Sequence, residues 1–367
     1  MDGWSKTSAF PSAHVVRCLG NTLDFATEMN ALLLEHSIYN RAFSVQALAC
    51  LPVVPVNEVP EDGAGGSSFV EVDCCDPEAQ AHRKPWSDSG WKVPPEEIRA
   101  RRDFRACRTV FSIDPRGCQD IDDSMHVHWV RPGVLELGVH IADVCAFLRQ
   151  DSPLDLEAKR RGTTVYLTHC RIDMLPPLIS SDIASLHGGK ERLAMTVLWE
   201  LTDFTFDIPE DPCWCGRSVI KSAAAMTYEQ ADKLITSGSI FDEPQDVPEG
   251  QAGRPVASAL VPRLVPDVRA LTLISRTLLL KREKAGCVDF SKGEDSGGEL
   301  KFVLGGNGNP LKVEPSKHLE VHSTVEELMI LSNSSVAKII SEALPLQALV
   351  RIHAPPPLHK LENVRDF

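Results

Sequence analysis

Four carboxylates fall within ten residues in the segment Ile113-Asp114-Pro115-Arg116-Gly117-Cys118-Gln119-Asp120-Ile121-Asp122-Asp123-Ser124. Ionised together in a compact loop, they repel one another and raise one another's pKa values unless a cation neutralises them. Oxygen ligands at this density suit Mg²⁺ or Mn²⁺, which favour octahedral oxygen coordination and keep places for water or phosphate. Such a site activates water and stabilises both oxygens of an in-line displacement at phosphorus. In extended backbone Asp120 and Asp122 share a face and Asp123 points away, while Pro115 and Gly117 predict an irregular loop that can fold Asp114 back. The EF-hand pattern fails, because Arg116 and Cys118 stand where ligands are needed and no glutamate holds the twelfth position. The alternative is an acidic turn on the surface. Against it, Val110, Phe111, Ile113 and Ile121 mark a strand edge entering a core.

Patterned elements surround this cluster. In VLELGVHIA, Leu135, Leu137, Val139 and Ile141 fall on one face of a strand, with Glu136, Gly138 and His140 opposite. MHVHWV also alternates, and Arg131-Pro132-Gly133 can turn the two into a hairpin. His140, opposite the apolar stripe, reads as a hydrogen-bonded structural histidine before a ligand. LAMTVLWEL at 193–201 is a further strand. Thr227 and Gln230 form a capping box opening YEQADKLI; Asp267 is expected to cap VRALTLISRTLLLKREKAG, closed by Gly286. Ser323 and Glu326 form a second capping box for TVEELMILSNSSVAKIISEAL, ended by Pro345, with a Met and Leu stripe for core packing. Together these predict an α+β domain, a mixed sheet with helices packed on it.

Residues 1–53 hold short apolar runs, HVVRCLG and ALLLEH, that read as strand fragments of a small β-rich unit. Residues 54–103 open on a Pro-, Gly-, Ser- and acid-rich linker, and 236–266 and 291–299 read as loop insertions. The 367 residues allow one large domain or two. A net charge of −13, from 38 basic and 51 acidic residues, argues against non-specific coating of nucleic acid. A local basic channel remains open, from the 99–105 stretch or from Lys159-Arg160-Arg161, with solvated surface charge as the alternative. No run is long and apolar enough to span a membrane, and the N-terminus carries no export signal. The eleven cysteines form no CxxC pairs and read as reduced thiols in an intracellular protein.

The acidic segment resembles the signature of the RNB catalytic domain of the RNase II/RNase R family, in which an aspartate precedes a proline and three more follow around a D-I-D-D core. The likeness continues in order through LELGVHIADV, RRGTTVYLTHCRIDMLPPLISSDIASL, HSTVEELMILSNSSVAK and VRIHAPPP, over nearly all of residues 104–357. WSKTSAFPSAHVVRCLG, followed by LLLEH, is similar to the end of the cold-shock (OB-type) barrel that precedes this domain, in wording nearest the family's eukaryotic exosome branch.

The resemblance implies a cold-shock barrel end over 1–53, a linker over 54–103 and an RNB catalytic domain over 104–367. It implies Mg²⁺-dependent (or Mn²⁺-dependent) hydrolysis of single-stranded RNA from its 3′ end, releasing nucleoside 5′-monophosphates. Asp114, Asp120, Asp122 and Asp123 match the metal-binding aspartates that orient the attacking water. Tyr166 matches the aromatic residue that stacks on the terminal nucleotide, a contact tolerant of sequence. Arg171 matches a basic residue near the RNA phosphates, and Glu326, Glu327 and Asn333 lie on the helix lining the pocket. Each has a plainer reading: Tyr166 as core, Arg171 as surface charge, Glu326 as a helix cap. Exosome core subunits are the implied partners of the full-length protein, in nucleus and cytoplasm, with no membrane association. The family's later Ser-Pro-Ile-Arg-type segment, whose arginine contacts the scissile phosphate, is not found here. The expectation is therefore of a fragment with an incomplete active site, and the alternative function is a non-catalytic RNA-binding or exosome-docking module.

Overall fold

The computed structural model describes residues 13–15, 18–22, 24–55, 89–167, 171–202, 208–209, 211–238, 256–287, 300–304, 310–315, 318–352, 354–355 and 357. The strands are β1 (Arg102–Asp103), β2 (Val110–Asp114), β3 (Asp123–Arg131), β4 (Val134–Ala142), β5 (Val165–Tyr166), β6 (Arg171–Ile172), β7 (Glu191–Leu201), β8 (Trp214–Thr227), β9 (Leu300–Leu304) and β10 (Pro310–Pro315). The helices are α1 (Phe25–Glu35), α2 (Val45–Leu48), α3 (Pro95–Ala100), α4 (Pro153–Arg161), α5 (Tyr228–Thr236), α6 (Val261–Lys284) and α7 (Glu320–Ala343). The chain divides into two compact units, one of residues 93–143, 186–292 and 318–367, the other of 1–92, 144–185 and 293–317.

The first unit is organised by β8, whose 14 residues are enough to serve two neighbours. Its C-terminal half runs parallel to β2, from Val110 beside Ser222 to Asp114 beside Thr227. Its N-terminal half runs antiparallel to β7, from Leu198 beside Trp214 to Glu191 beside Lys221. Between them the antiparallel pairs β2–β3, β3–β4 and β4–β7 complete the circuit, so the mixed sheet closes into a barrel. Closure removes the exposed edges that an open sheet would offer. The expected hairpin is β3–β4, with Gly133 at φ 81° in its turn.

Alternation sets the two faces of this barrel. Phe111, Ile113, Met125, Val127, Leu135, Leu137, Val139 and Trp199 pack with α5, α6 and α7 into the main core. The opposite face carries Phe104, Val110, Leu198 and Ile220, together with a buried polar chain. Along that chain Ser218 Oγ meets Thr196 Oγ1 (2.6 Å), which meets His140 Nδ1 (2.6 Å); His140 Nε2 meets His126 Nδ1 (2.8 Å), and His126 Nε2 meets Glu136 (3.1 Å). Arg108 donates to the same Glu136 carboxylate at 2.6 Å. Burial alone would raise the Glu136 pKa, but hydrogen bonds from His126 and Arg108 and their charge hold it down at about 2. His140 is thus a hydrogen-bonded structural histidine, as expected.

Several helices differ from their sequence reading. ALLLE belongs to α1, capped by Asp24, which accepts from the Thr27 N–H at 3.0 Å; a short apolar run is ambiguous between strand and helix. Among the described residues of HVVRCLG no strand forms. Asp267 does not cap α6, which starts at Val261: buried Val261 and Leu264 extend the apolar stripe backwards and outweigh the bond that Pro266 cannot make. Ser323 likewise lies inside α7, which begins at Glu320, with the Leu319 N–H donating to His322 Nδ1 (2.9 Å). The capping box of Thr227 and Gln230 forms as read, Gly286 follows α6 at φ 96°, and α7 ends just before Pro345. Helix α3 occupies the end of the stretch read as linker, and residues 56–88, 239–255 and 288–299 lie outside the described residues. No disulfide joins the described cysteines.

In the second unit Ala47, Leu154, Ile179 and Ile183 form one small core and Leu33 with Ile172 another. β5 pairs with β6 as a short hairpin and β9 with β10 as another.

Gly138 makes the buried polar chain possible. A Cβ there would sit 2.1 Å from His126 Cε1, inside the ring's own volume. Gly138→Ala is expected to lower stability by about 1–3 kcal/mol through overpacking, read as a shift of the urea midpoint at constant slope.

Candidate metal centre

The β8 register places the end of β2 beside the start of α5, because Asp114 neighbours Thr227 and Tyr228 follows. The pairing of Phe111 with Met125 brings the start of β3 to the same end of the barrel. Between them residues 115–122 make a loop, turned by a Cys118 N–H bond to the Pro115 carbonyl (3.2 Å) and by Gly117 at φ 74°. Its exit is pinned by two backbone bonds, from Leu186 to the Ile121 carbonyl (2.9 Å) and from Ala142 to the Asp122 carbonyl (2.8 Å). Arg116 reaches Glu229 in the first turn of α5 at 3.4 Å.

Within this frame Asp114 is buried and accepts from Ser112 Oγ at 2.8 Å. Asp123 does not point away from the cluster. The face rule for extended backbone fails because the chain leading to Asp123 is loop, and Asp123 is the first residue of β3. Burial first, then the charges of Asp114 and Asp122, push its carboxyl up to about 7. Its Oδ2 is buried with no hydrogen-bond partner. Asp122 is exposed and Asp120 half-buried, with Cys118 Sγ 3.3 Å from the Asp120 carbonyl oxygen.

The donor chemistry is of the kind a hard divalent cation neutralises: the buried Asp123 Oδ2 lacks a hydrogen-bond donor, and the charges of Asp114 and Asp122 destabilise its ionised form. Among the described residues, however, no group of three or more His, Cys, Asp or Glu side chains has the spacing to hold a metal ion.

Tyr228 was missed in the sequence. Burial, then the charges of Asp123 and Asp114, raise its hydroxyl to about 12, so it stays a neutral phenol within reach of those charges. Its ring stacks on His322 of α7 at 4.1 Å between centroids. The signal was its position directly after the Thr227 cap, which fixed a helix start without showing which strand end the helix would meet.

The other site residues lie on other elements. Glu327 is buried and ion-paired with Arg282 of α6; burial raises its pKa, while Arg282 pulls the other way. Glu326 and Asn333, on the same helix, are exposed. Tyr166 and Arg171 sit opposite each other on β5 and β6, in the other unit. Tyr166 is 66% exposed, which removes the reading of it as core. Arg171 is fixed by Asp173 (2.6 Å) and Ser181 (2.8 Å), so it is no loose surface charge. In the 99–105 stretch, Arg101 is buried against Glu97 and Asp143, and Arg105 pairs with Asp103 and Glu191.

The RNB domain model matches residues 101–367. The chain belongs to the RNB family. A model of the Dis3-like cold-shock domain 2 matches residues 1–37, agreeing with the barrel end read from the sequence. Among curated relatives, the exosome complex exonuclease RRP44 of Mus musculus is 33% identical over 97% of this chain and 31% of its own length. DIS3-like exonuclease 2 of Schizosaccharomyces pombe is 34% identical over 99% of this chain and 34% of its own. The chain thus spans about a third of the length of these relatives. Among solved structures, Mycoplasma genitalium RNase R in complex with ribose-methylated single-stranded RNA superposes with TM-score 0.69 at 21% identity, over 95% of this chain and 44% of that one. Yeast Ssd1, described as a pseudonuclease, gives TM-score 0.65 at 20% identity, over 99% of this chain and 37% of that one. At these identities the structural matches establish the RNB fold.

A raised carboxyl pKa makes folding less favourable as pH climbs from about 4 to about 7, since the folded state holds the proton longer. Mg²⁺ should offset this above pH 7. The expected result is an Mg²⁺-dependent rise in Tm at pH 7.5 that is smaller at pH 5.5 and smaller still in Asp123→Asn; a rise unaffected by that substitution would place the ion elsewhere.

Proposed function

We propose that this chain carries the metal-binding part of a hydrolytic 3′-to-5′ exoribonuclease acting on single-stranded RNA and releasing nucleoside 5′-monophosphates. The observation that carries the reading is the buried, unpartnered Asp123 oxygen beside Asp114 at one end of an RNB barrel. Asp114, Asp120, Asp122 and Asp123 would hold Mg²⁺ or Mn²⁺, which supplies a lowered pKa for bound water and charge neutralisation at phosphorus. The Tyr228 hydroxyl, kept protonated, is a hydrogen-bond donor beside this cluster. Exposed Tyr166 offers a ring face for a base, and Arg171, with its own carboxylate partner, offers a positioned cation for phosphate. The names of the curated relatives support exosome membership, and with it action in nucleus and cytoplasm, as part of the same proposal.

A second reading, an RNA-binding module that does not cut, is favoured by the likeness to the pseudonuclease. Both are tested with 5′-labelled single-stranded RNA and DNA of one sequence. The nuclease reading predicts Mg²⁺-dependent shortening of RNA from its 3′ end, DNA left intact, and at least about 100-fold loss of rate in Asp122→Asn. RNA that is bound and never shortened would overturn it in favour of the binding module.

A further inference from the structure

The acidic centre leaves unused a second gathering of like charges, in the other unit. Three guanidinium groups surround the ring of Tyr39: Arg160 at 4.3 Å from its centroid, Arg161 at 5.2 Å and Arg41 at 6.0 Å. Arg161 also lies over Phe43 at 3.8 Å. Among the described residues the only ion pair these three arginines make is that of Arg161 with Glu157, at 2.7 Å. The cluster therefore carries two uncompensated positive charges in a chain whose net charge is −13. Cation–π attraction orients guanidinium groups on a ring but neutralises no charge.

Of these residues Tyr39, Arg160 and Arg161 line a cavity of about 200 Å³, with His36, Ser37 and Thr163 at its edge and Ile38, Val165 and Ile172 as apolar wall. The local fold fixes the cavity wall. Ser37 holds φ 56° just beyond the end of α1, the left-handed position that closes a helix. From there the chain leaves the helix, with Ile38 N–H bonded to the Leu33 carbonyl (2.8 Å), and delivers Ile38 and Tyr39 to the cavity. Arg161, its side chain buried, is fixed by the Arg41 carbonyl (2.6 Å) as well as by Glu157. The dipole at the end of α4 accounts for basic residues in its last turn. It does not account for Arg41, from a different segment, on the same ring.

We propose that this cavity is an anion site for a phosphate group, held by Arg160 and ordered by Tyr39, with Arg41 adding positive charge from beside the same ring. Guanidinium is the side chain best matched to phosphate oxygens, and the apolar wall leaves room for the attached sugar or base. The phosphate belongs either to an RNA strand or to a free mononucleotide. The strand source rests on the nuclease reading above, and β5 links the two: Val165 lines this cavity, while its neighbour Tyr166 is exposed for stacking.

The test is fluorescence polarisation of a 5′-fluorescein oligoadenylate with the whole chain in EDTA, so that no cleavage enters. Arg160→Ala should weaken binding about tenfold and lower the slope of log affinity against log salt by about 1. Arg160→Lys should keep the slope, and Lys159→Ala, whose cation is already paired with Asp151 and Asp155, should change neither. Displacement of the oligomer by AMP identifies a mononucleotide site, and its absence a strand site. Unchanged affinity and slope in Arg160→Ala would overturn the proposal, and a lowered Tm alongside would assign Arg160 to packing on Tyr39. Because the assay holds no Mg²⁺, that failure leaves RNA degradation, and the nuclease reading, to be judged separately.

Discussion

Asp114 and Asp123 are held together at one end of the barrel, and the charge of Asp114 destabilises the ionised form of Asp123. Asp114 is fixed by its place beside Thr227 and by Ser112. Asp123 is fixed by its place at the start of β3, and the loop joining them is tied at its exit to β4 and to Leu186. Free side chains would turn to solvent and relieve the repulsion. Here relief has to come as a proton or a cation, and the raised Asp123 pKa expresses the first of these.

Barrel closure is what holds the strand ends in place. β8 serves two partners along its length, and its last residues deliver α5 to the carboxylates, bringing Tyr228 with it. The opposite face of the sheet is stiffened by the chain from Ser218 through two histidines to Glu136 and Arg108, which requires Gly138. That polar chain and the acidic centre share β3, which carries both His126 and Asp123. Packing of the three helices on the outer face then accounts for most of the apolar core.

Much of this was legible in the sequence because it was periodic. Leu135, Leu137 and Val139 gave their strand and its apolar face, and Thr227 with Gln230 gave a helix start to the residue. What was not legible depended on partners distant in sequence. The burial of Asp123 requires knowing that the chain before it is loop, and Tyr228 becomes chemically interesting only once β8 lies against β2. The two misplaced helix starts share one cause: a good capping residue, Asp267 or Ser323, competed with buried apolar residues upstream, and burial won. ALLLE read as strand because a four-residue apolar run has no period of its own. The arginines around Tyr39 come from two segments some 120 residues apart, beyond the reach of any local pattern.

The central claim is that the carboxylate cluster is a cation site, and direct binding of a paramagnetic ion tests it most closely. Mn²⁺ titrated into the chain at pH 7.5 and followed by electron paramagnetic resonance should lose free-ion signal in proportion to protein. Asp123→Asn and Asp122→Asn should restore most of that signal, and excess Mg²⁺ should compete it back. Mn²⁺ that stays free, or binds both variants as well as it binds the parent chain, would contradict the account.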